Sequence, residues 1–111
     1  MTVEFELNGQ PFMGLNGGPQ FKFNEAISFR IDCEDQVELD RYWKKLSEGS
    51  DRKKQRCGWV GDRFGVSWQI VPKCLGAFLG DPDEGKAKRA REALMGMKKI
   101  DIAALEAASR G

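Results

Sequence analysis

The first residues of the chain alternate. Val3, Phe5 and Leu7 fall on one side of an extended backbone, and Thr2, Glu4 and Glu6 on the other. This is the two-residue period of a strand with one apolar face. Asn8-Gly9 follows, and both positions accept positive φ, so a two-residue turn is predicted to lead into a second strand over 10–16. Asn16-Gly17-Gly18-Pro19 breaks that strand. A third strand is predicted over 26–33, with Ile27, Phe29 and Ile31 on one face and Ser28, Arg30 and Asp32 on the other. The period then lengthens. Leu39, Trp43 and Leu46 recur at helical spacing with Tyr42 beside them, and Asp35 with Glu38 predicts an N-cap and capping box. Glu48–Arg56 is polar throughout and reads as a mobile loop.

Cys57–Pro72 is an aromatic hairpin. Its turn is Asp62-Arg63-Phe64-Gly65, Gly65 supplies an unusual φ, and Pro72 ends the second strand. Beyond it the pattern is helical. Lys73–Leu79 suggests one short turn of helix. Asp81-Pro82-Asp83-Glu84 predicts a helix start with Asp81 as N-cap and proline at the first position. Ala87, Ala90, Leu94 and Met97 stripe that helix, and Asp101 is expected to cap a last one through Ala108, with Ile102 and Leu105 inward. Hairpin-joined strands, one helical crossover and closing helices predict an α+β fold with a mixed sheet.

Composition narrows the class. A chain of 111 residues with 41% apolar residues makes one domain with a real core. No apolar run approaches a membrane span of roughly 18 residues, and the glutamate-bearing start is no signal peptide. Three cysteines without CxxC spacing read as reduced thiols of a cytoplasmic protein. The net charge of +1 points to neither nucleic acid nor membrane as a partner.

Residues 1–72 resemble the second half of the PhnB-like family, a branch of the glyoxalase/bleomycin-resistance (vicinal oxygen chelate) superfamily. The resemblance rests on Val3–Leu7, Gly9-Gln10-Pro11-Phe12-Met13, Leu15-Asn16-Gly17-Gly18-Pro19, Ser28-Phe29, Asp40-Arg41-Tyr42-Trp43 with Leu46, and Cys57-Gly58-Trp59 through Pro72. It implies a glyoxalase-like mixed sheet of βαβββ modules, with the first module incomplete and residues 73–111 as a helical tail on the same domain. The missing part would have covered Val3, Phe5 and Leu7. Leaving such side chains wet forgoes about 1.5–3 kcal/mol apiece. Cover is expected either from the tail helices or from a second subunit, and relatives that share modules between chains point to a homodimer.

The superfamily's work usually needs a divalent metal held by His and Glu. This chain has no histidine, and the position that usually carries the last-strand glutamate aligns with Gln69, a poor ligand. No cofactor or metal is therefore expected. Glu4, Glu6, Ser28, Arg30, Ser67 and Gln69 are the candidate ligand-binding residues, assigned to a common cleft face by strand parity. Glu4 and Glu6 fit a general base or plain cross-strand charge pairs. Arg30 fits an anion clamp or an ion pair with a neighbouring glutamate. Trp68 is expected against the helix, whereas Trp59 fits either side. Cys57 reads as a buried thiol, and the basic run Arg52–Arg56 as a solvated face. The methyltransferase label that the family often carries, 3-demethylubiquinone-9 3-methyltransferase, implies an S-adenosylmethionine site. The glycines Gly14–Gly18 follow a hairpin rather than opening a βα unit, which argues against it. Two functions fit the residues: a small-molecule-binding module or metal-independent enzyme, and a non-catalytic dimeric interaction protein.

Overall fold

The computed structural model describes residues 1–111. Two small sheets and four helices form a mixed α+β fold. Strands β1 (Thr2–Leu7) and β2 (Gln10–Leu15) pair antiparallel as a sheet of their own, with Phe5 opposite Phe12 and Glu4 opposite Met13. Asn8 and Gly9 turn the chain at φ 51° and 79°. The second sheet has the order β3-β5-β4. Here β3 (Ser28–Cys33) runs parallel to β5 (Ser67–Pro72), and β5 pairs antiparallel with the short β4 (Trp59–Gly61). The expectation of one continuous mixed sheet is thus refined to two. Alternation reveals which face a side chain takes but not which strand lies alongside.

Helix α1 (Gln36–Ser47) crosses between β3 and β4. The carboxylate of Asp35 accepts the Glu38 N–H at 2.9 Å, as the capping signal predicted. Leu39 is fully buried, and Tyr42, Trp43 and Leu46 pack on the same core. The core joins Cys33, Leu39, Val60 and Ile70 to Ile100 and Leu105 of the tail. Helices α2 (Leu75–Leu79), α3 (Glu84–Met95) and α4 (Ile102–Arg110) form that tail. Helix α3 starts two residues later than expected. Asp83, not Asp81, caps it by accepting the N–H groups of Gly85 and Lys86, while Asp81 holds the Asp83 N–H in the preceding turn at 2.8 Å. The third strand is shorter than predicted, and Ile27 lies outside it at 75% exposure.

The β1–β2 hairpin extends from this body. The principal extents are 54 × 30 × 22 Å and the radius of gyration is 16.2 Å, against about 13 Å for a compact chain of this size. Phe12 meets Phe29 edge-on at 5.8 Å, and Phe29 meets Trp68 at 5.3 Å, so an aromatic row ties hairpin to sheet. The tail helices pack on the far core and not on the hairpin. Val3, Phe5 and Leu7 remain 56%, 44% and 41% exposed. Of the two covers foreseen for this face, the tail does not supply one. No helix is long and apolar enough to cross a membrane.

Candidate functional site

Strand parity sorts the β3-β5-β4 sheet into two faces. Phe29, Ile31, Cys33, Val60, Trp68 and Ile70 turn toward α1 and the core, as Trp68 was expected to. Ser28, Arg30, Trp59, Ser67 and Gln69 share the opposite, polar face. There Gln69 Nε2 donates to Ser28 Oγ at 2.8 Å, and Ser67 is buried. Arg30 Nε donates to Asp32 Oδ1 at 2.9 Å, two residues along its own strand. The acid it pairs with is therefore Asp32, not a glutamate. Glu4 and Glu6 stand on the other sheet, opposite Met13 and Pro11, and enter no ion pair. The structure brings together four of the six candidates and leaves the two glutamates on the hairpin.

Three features of the polar face lie outside the expected list. Arg56 and Trp59 exchange both backbone hydrogen bonds, at 2.9 and 2.8 Å, around a tight turn in which Cys57 and Gly58 have φ 51° and 87°. They are cross-strand neighbours, and their side chains rise on one face. The segment read as a mobile loop instead makes a 3₁₀ turn, Arg52–Lys54, capped by Asp51 through the Lys53 N–H at 2.9 Å. The stem of Lys54 lies against Gly61 of β4, where a Cβ would meet Lys54 Cδ at 3.0 Å. Between these parts opens a hollow of about 390 Å³, bounded by Lys53, Lys54, Arg56, Trp59, Ser67 and Glu25. Of the residues that shape it, Gly58 and Gly61 were visible in sequence as glycines beside or within a strand, whereas Cys57 gave no signal, because a cysteine seldom takes positive φ.

Asp62 organises the other end of β4. One carboxylate oxygen accepts the N–H groups of Phe64 at 2.9 Å and Val66 at 3.0 Å, and the other accepts the Trp68 indole N–H at 2.9 Å. Gly65 takes φ 92°, as the turn signal required. The metal implied by the resemblance does not fit this chain. No three acidic or thiol side chains cluster where they could ligate an ion, and the Gln69 amide is engaged with Ser28.

Residues 1–71 match the family described as 3-demethylubiquinone-9 3-methyltransferase. The chain belongs to this family. A solved structure of a PhnB protein from Bacillus cereus shares the fold with this family member at a TM-score of 0.58 and 29% identity, covering 65% of this chain and 64% of that one. The chain thus spans less than two thirds of the length of that relative. No curated protein matches it.

Of the thiols in this family member, Cys33 is fully buried, Cys57 is half-buried and Cys74 is exposed. Burial pushes the Cys33 thiol up to about 11, and the Glu38 and Asp32 carboxylates add to the effect. The folded state therefore keeps its proton where the unfolded thiol, with an ordinary value of 9.0, loses it. The stability from this group is intact below pH 9 and is lost as pH rises toward 11. Urea midpoints measured across that window are expected to fall more steeply for the natural chain than for Cys33→Val. Equal slopes would refute the assignment.

Proposed function

We propose that this PhnB-like chain is a small-molecule-binding protein of the glyoxalase superfamily that works as a cytoplasmic homodimer. The observation that carries the reading is the polar face of the β3-β5-β4 sheet. Ser28 and Gln69 are locked together there beside buried Ser67, and the face adjoins a hollow of about 390 Å³. That volume lies within the range of about 300–1,000 Å³ usual for ligand sites. The residues offer hydrogen-bond donors and acceptors and a cation, and they name no general base.

The homodimer is supported by the hairpin. A two-stranded sheet alone is marginal in water, and this one exposes Val3, Phe5 and Leu7 with open strand edges. A second copy would cover that face. The same hairpin favours the second reading, a dimer whose exposed sheet serves protein interaction and not ligand binding. The methyltransferase activity in the family's name has weaker support. Gly14–Gly18 closes a hairpin strand and leads into a loop, without the strand-to-helix turn that cradles a nucleoside cofactor.

Sedimentation equilibrium is expected to give a dimer, and a monodisperse monomer would contradict that half of the proposal. Amide spectra recorded with a panel of small neutral and charged aromatics are expected to shift at Ser28, Trp59, Ser67 and Gln69. Shifts confined to the hairpin, or none at millimolar compound, would favour the interaction reading. S-adenosylmethionine is expected to leave the melting temperature unchanged, and a clear rise would restore the methyltransferase reading.

A further inference from the structure

We infer that the polar face takes an organic oxyanion, a carboxylate or a phosphate monoester on a flat body, held between the basic turn and Trp59. The inference rests on the small-molecule reading above and adds the chemistry of the ligand.

Three observations converge. The first is charge. Lys53, Lys54 and Arg56 border the hollow, and none of them has a carboxylate within ion-pairing distance. Glu25 is the single acid on the rim. Only four of the chain's 18 lysines and arginines form ion pairs, so lacking one is common here. What marks the hollow is the grouping of three cations against one acid in a chain whose net charge is only +1.

The second is placement. The Lys54 stem is laid across β4 at the one strand position without a side chain, Gly61, so backbone and stem approach closely. Asp51 caps the 3₁₀ turn that starts this approach, and the Lys54 N–H bonds back to the Asp51 carbonyl at 2.9 Å. Arg56 is fixed by its two backbone bonds to Trp59. Lys54 and Arg56 thus both line one hollow, and an ammonium with a guanidinium suits an oxyanion, which can accept from both.

The third is the wall. Trp59 is half-buried on the same face, offers an indole surface to the hollow, and has no aromatic neighbour within stacking range. An unstacked indole beside cations fits a flat organic body carrying an anionic group. The volume of this open hollow, about 390 Å³, suits a compact metabolite.

The test uses phenyl phosphate, benzoate and neutral benzamide, which share a ring and differ in charge. Binding is read from the Trp59 indole and the amides of Gly61 and Ser67. Phenyl phosphate and benzoate are expected to shift these signals saturably, and benzamide to bind at least ten-fold more weakly, about 1.4 kcal/mol. The stronger of the two anions identifies which oxyanion is preferred. Raising the salt should weaken both. Lys54→Gln and Arg56→Gln are expected to weaken binding about three-fold each, while Lys45→Gln on exposed α1 changes nothing. Benzamide binding as well as benzoate at the same residues would overturn the anion inference and leave the binding site standing. No shift with any of the three would overturn both. A short single-stranded oligonucleotide that binds more tightly than phenyl phosphate would overturn the inference in favour of a nucleic-acid surface.

Discussion

Gly58→Ala is expected to destabilise the fold by about 2–5 kcal/mol, from left-handed backbone strain of about 1–2 and overpacking of about 1–3. Gly58 sits at φ 87°, where an L side chain is strained in any surroundings. Its surroundings are also full. An added Cβ would stand 2.8 Å from Ile100 Cδ1 and 3.2 Å from the Ile70 carbonyl oxygen. Ile100 is fully buried and has no solvent to retreat into. The carbonyl cannot move without disturbing β5, because Gly58 also receives the Ile70 N–H at 2.8 Å. Gly65→Ala isolates the two contributions. It has a similar φ, 92°, but its nearest neighbour across the gap is Phe23 Cβ at 3.5 Å, an ordinary contact. Denaturant midpoints should fall far more for Gly58→Ala than for Gly65→Ala. Equal losses would mean that the close approach of the tail to this turn contributes nothing.

Local signals carried most of the secondary structure. Asp35 and Asp101 each cap the helix foretold, the latter accepting the Ala104 N–H at 3.1 Å. Asn8-Gly9 and Gly65 take the positive φ their turns demand. Such signals act within a few residues, so sequence order alone displays them. What sequence order hid was lateral. The alternation of Val3, Phe5 and Leu7 announced an apolar face, yet it contained nothing to say that β1 would pair with β2 alone and stay wet. Asp81 and Asp83 both suit an N-cap, and only the path of the chain out of α2 selects the second. The candidate face was legible in part. Ser28, Ser67 and Gln69 fall together because period-two parity survives any correct pairing of β3 with β5. Parity also assigned Glu4 and Glu6 to the cleft face, but they stand on the other sheet, among Pro11, Met13 and Leu15. Lys54 and Arg56 were read with the basic run as a solvated face, because such a run reads the same whether it waves in solvent or lies on a strand. The distinguishing fact is the contact of Lys54 with Gly61.

The fragment 1–72 is expected not to fold by itself, although the family match ends at residue 71. Ile100 and Leu105 are both fully buried, and they share one core with Cys33, Leu39, Val60 and Ile70. Truncating either to alanine would remove about 2–5 kcal/mol, and a small domain has only about 5–15 kcal/mol in total. Cutting the tail removes both side chains and uncovers the groups they pack on. It also strips partners from fixed polar atoms. Gln36 Nε2 donates to the Ile100 carbonyl at 3.0 Å and to Asp40 Oδ1 at 2.8 Å, while its Oε1 accepts the Ile102 N–H at 2.8 Å. The Cys57 and Gly58 N–H groups would lose the Met97 and Lys98 carbonyls, each at 2.8 Å. The turn that raises Arg56 and Trp59 is thus braced by the tail, which makes residues 96–105 part of what shapes the candidate site. Circular dichroism and amide dispersion of the fragment should show a largely unfolded chain, and Ile100→Ala in the full chain should lower stability by about 2–5 kcal/mol. A cooperative melt from residues 1–72 would show instead that the sheet and α1 form a self-sufficient core, and that the turn at Cys57-Gly58 holds its shape without the helices behind it.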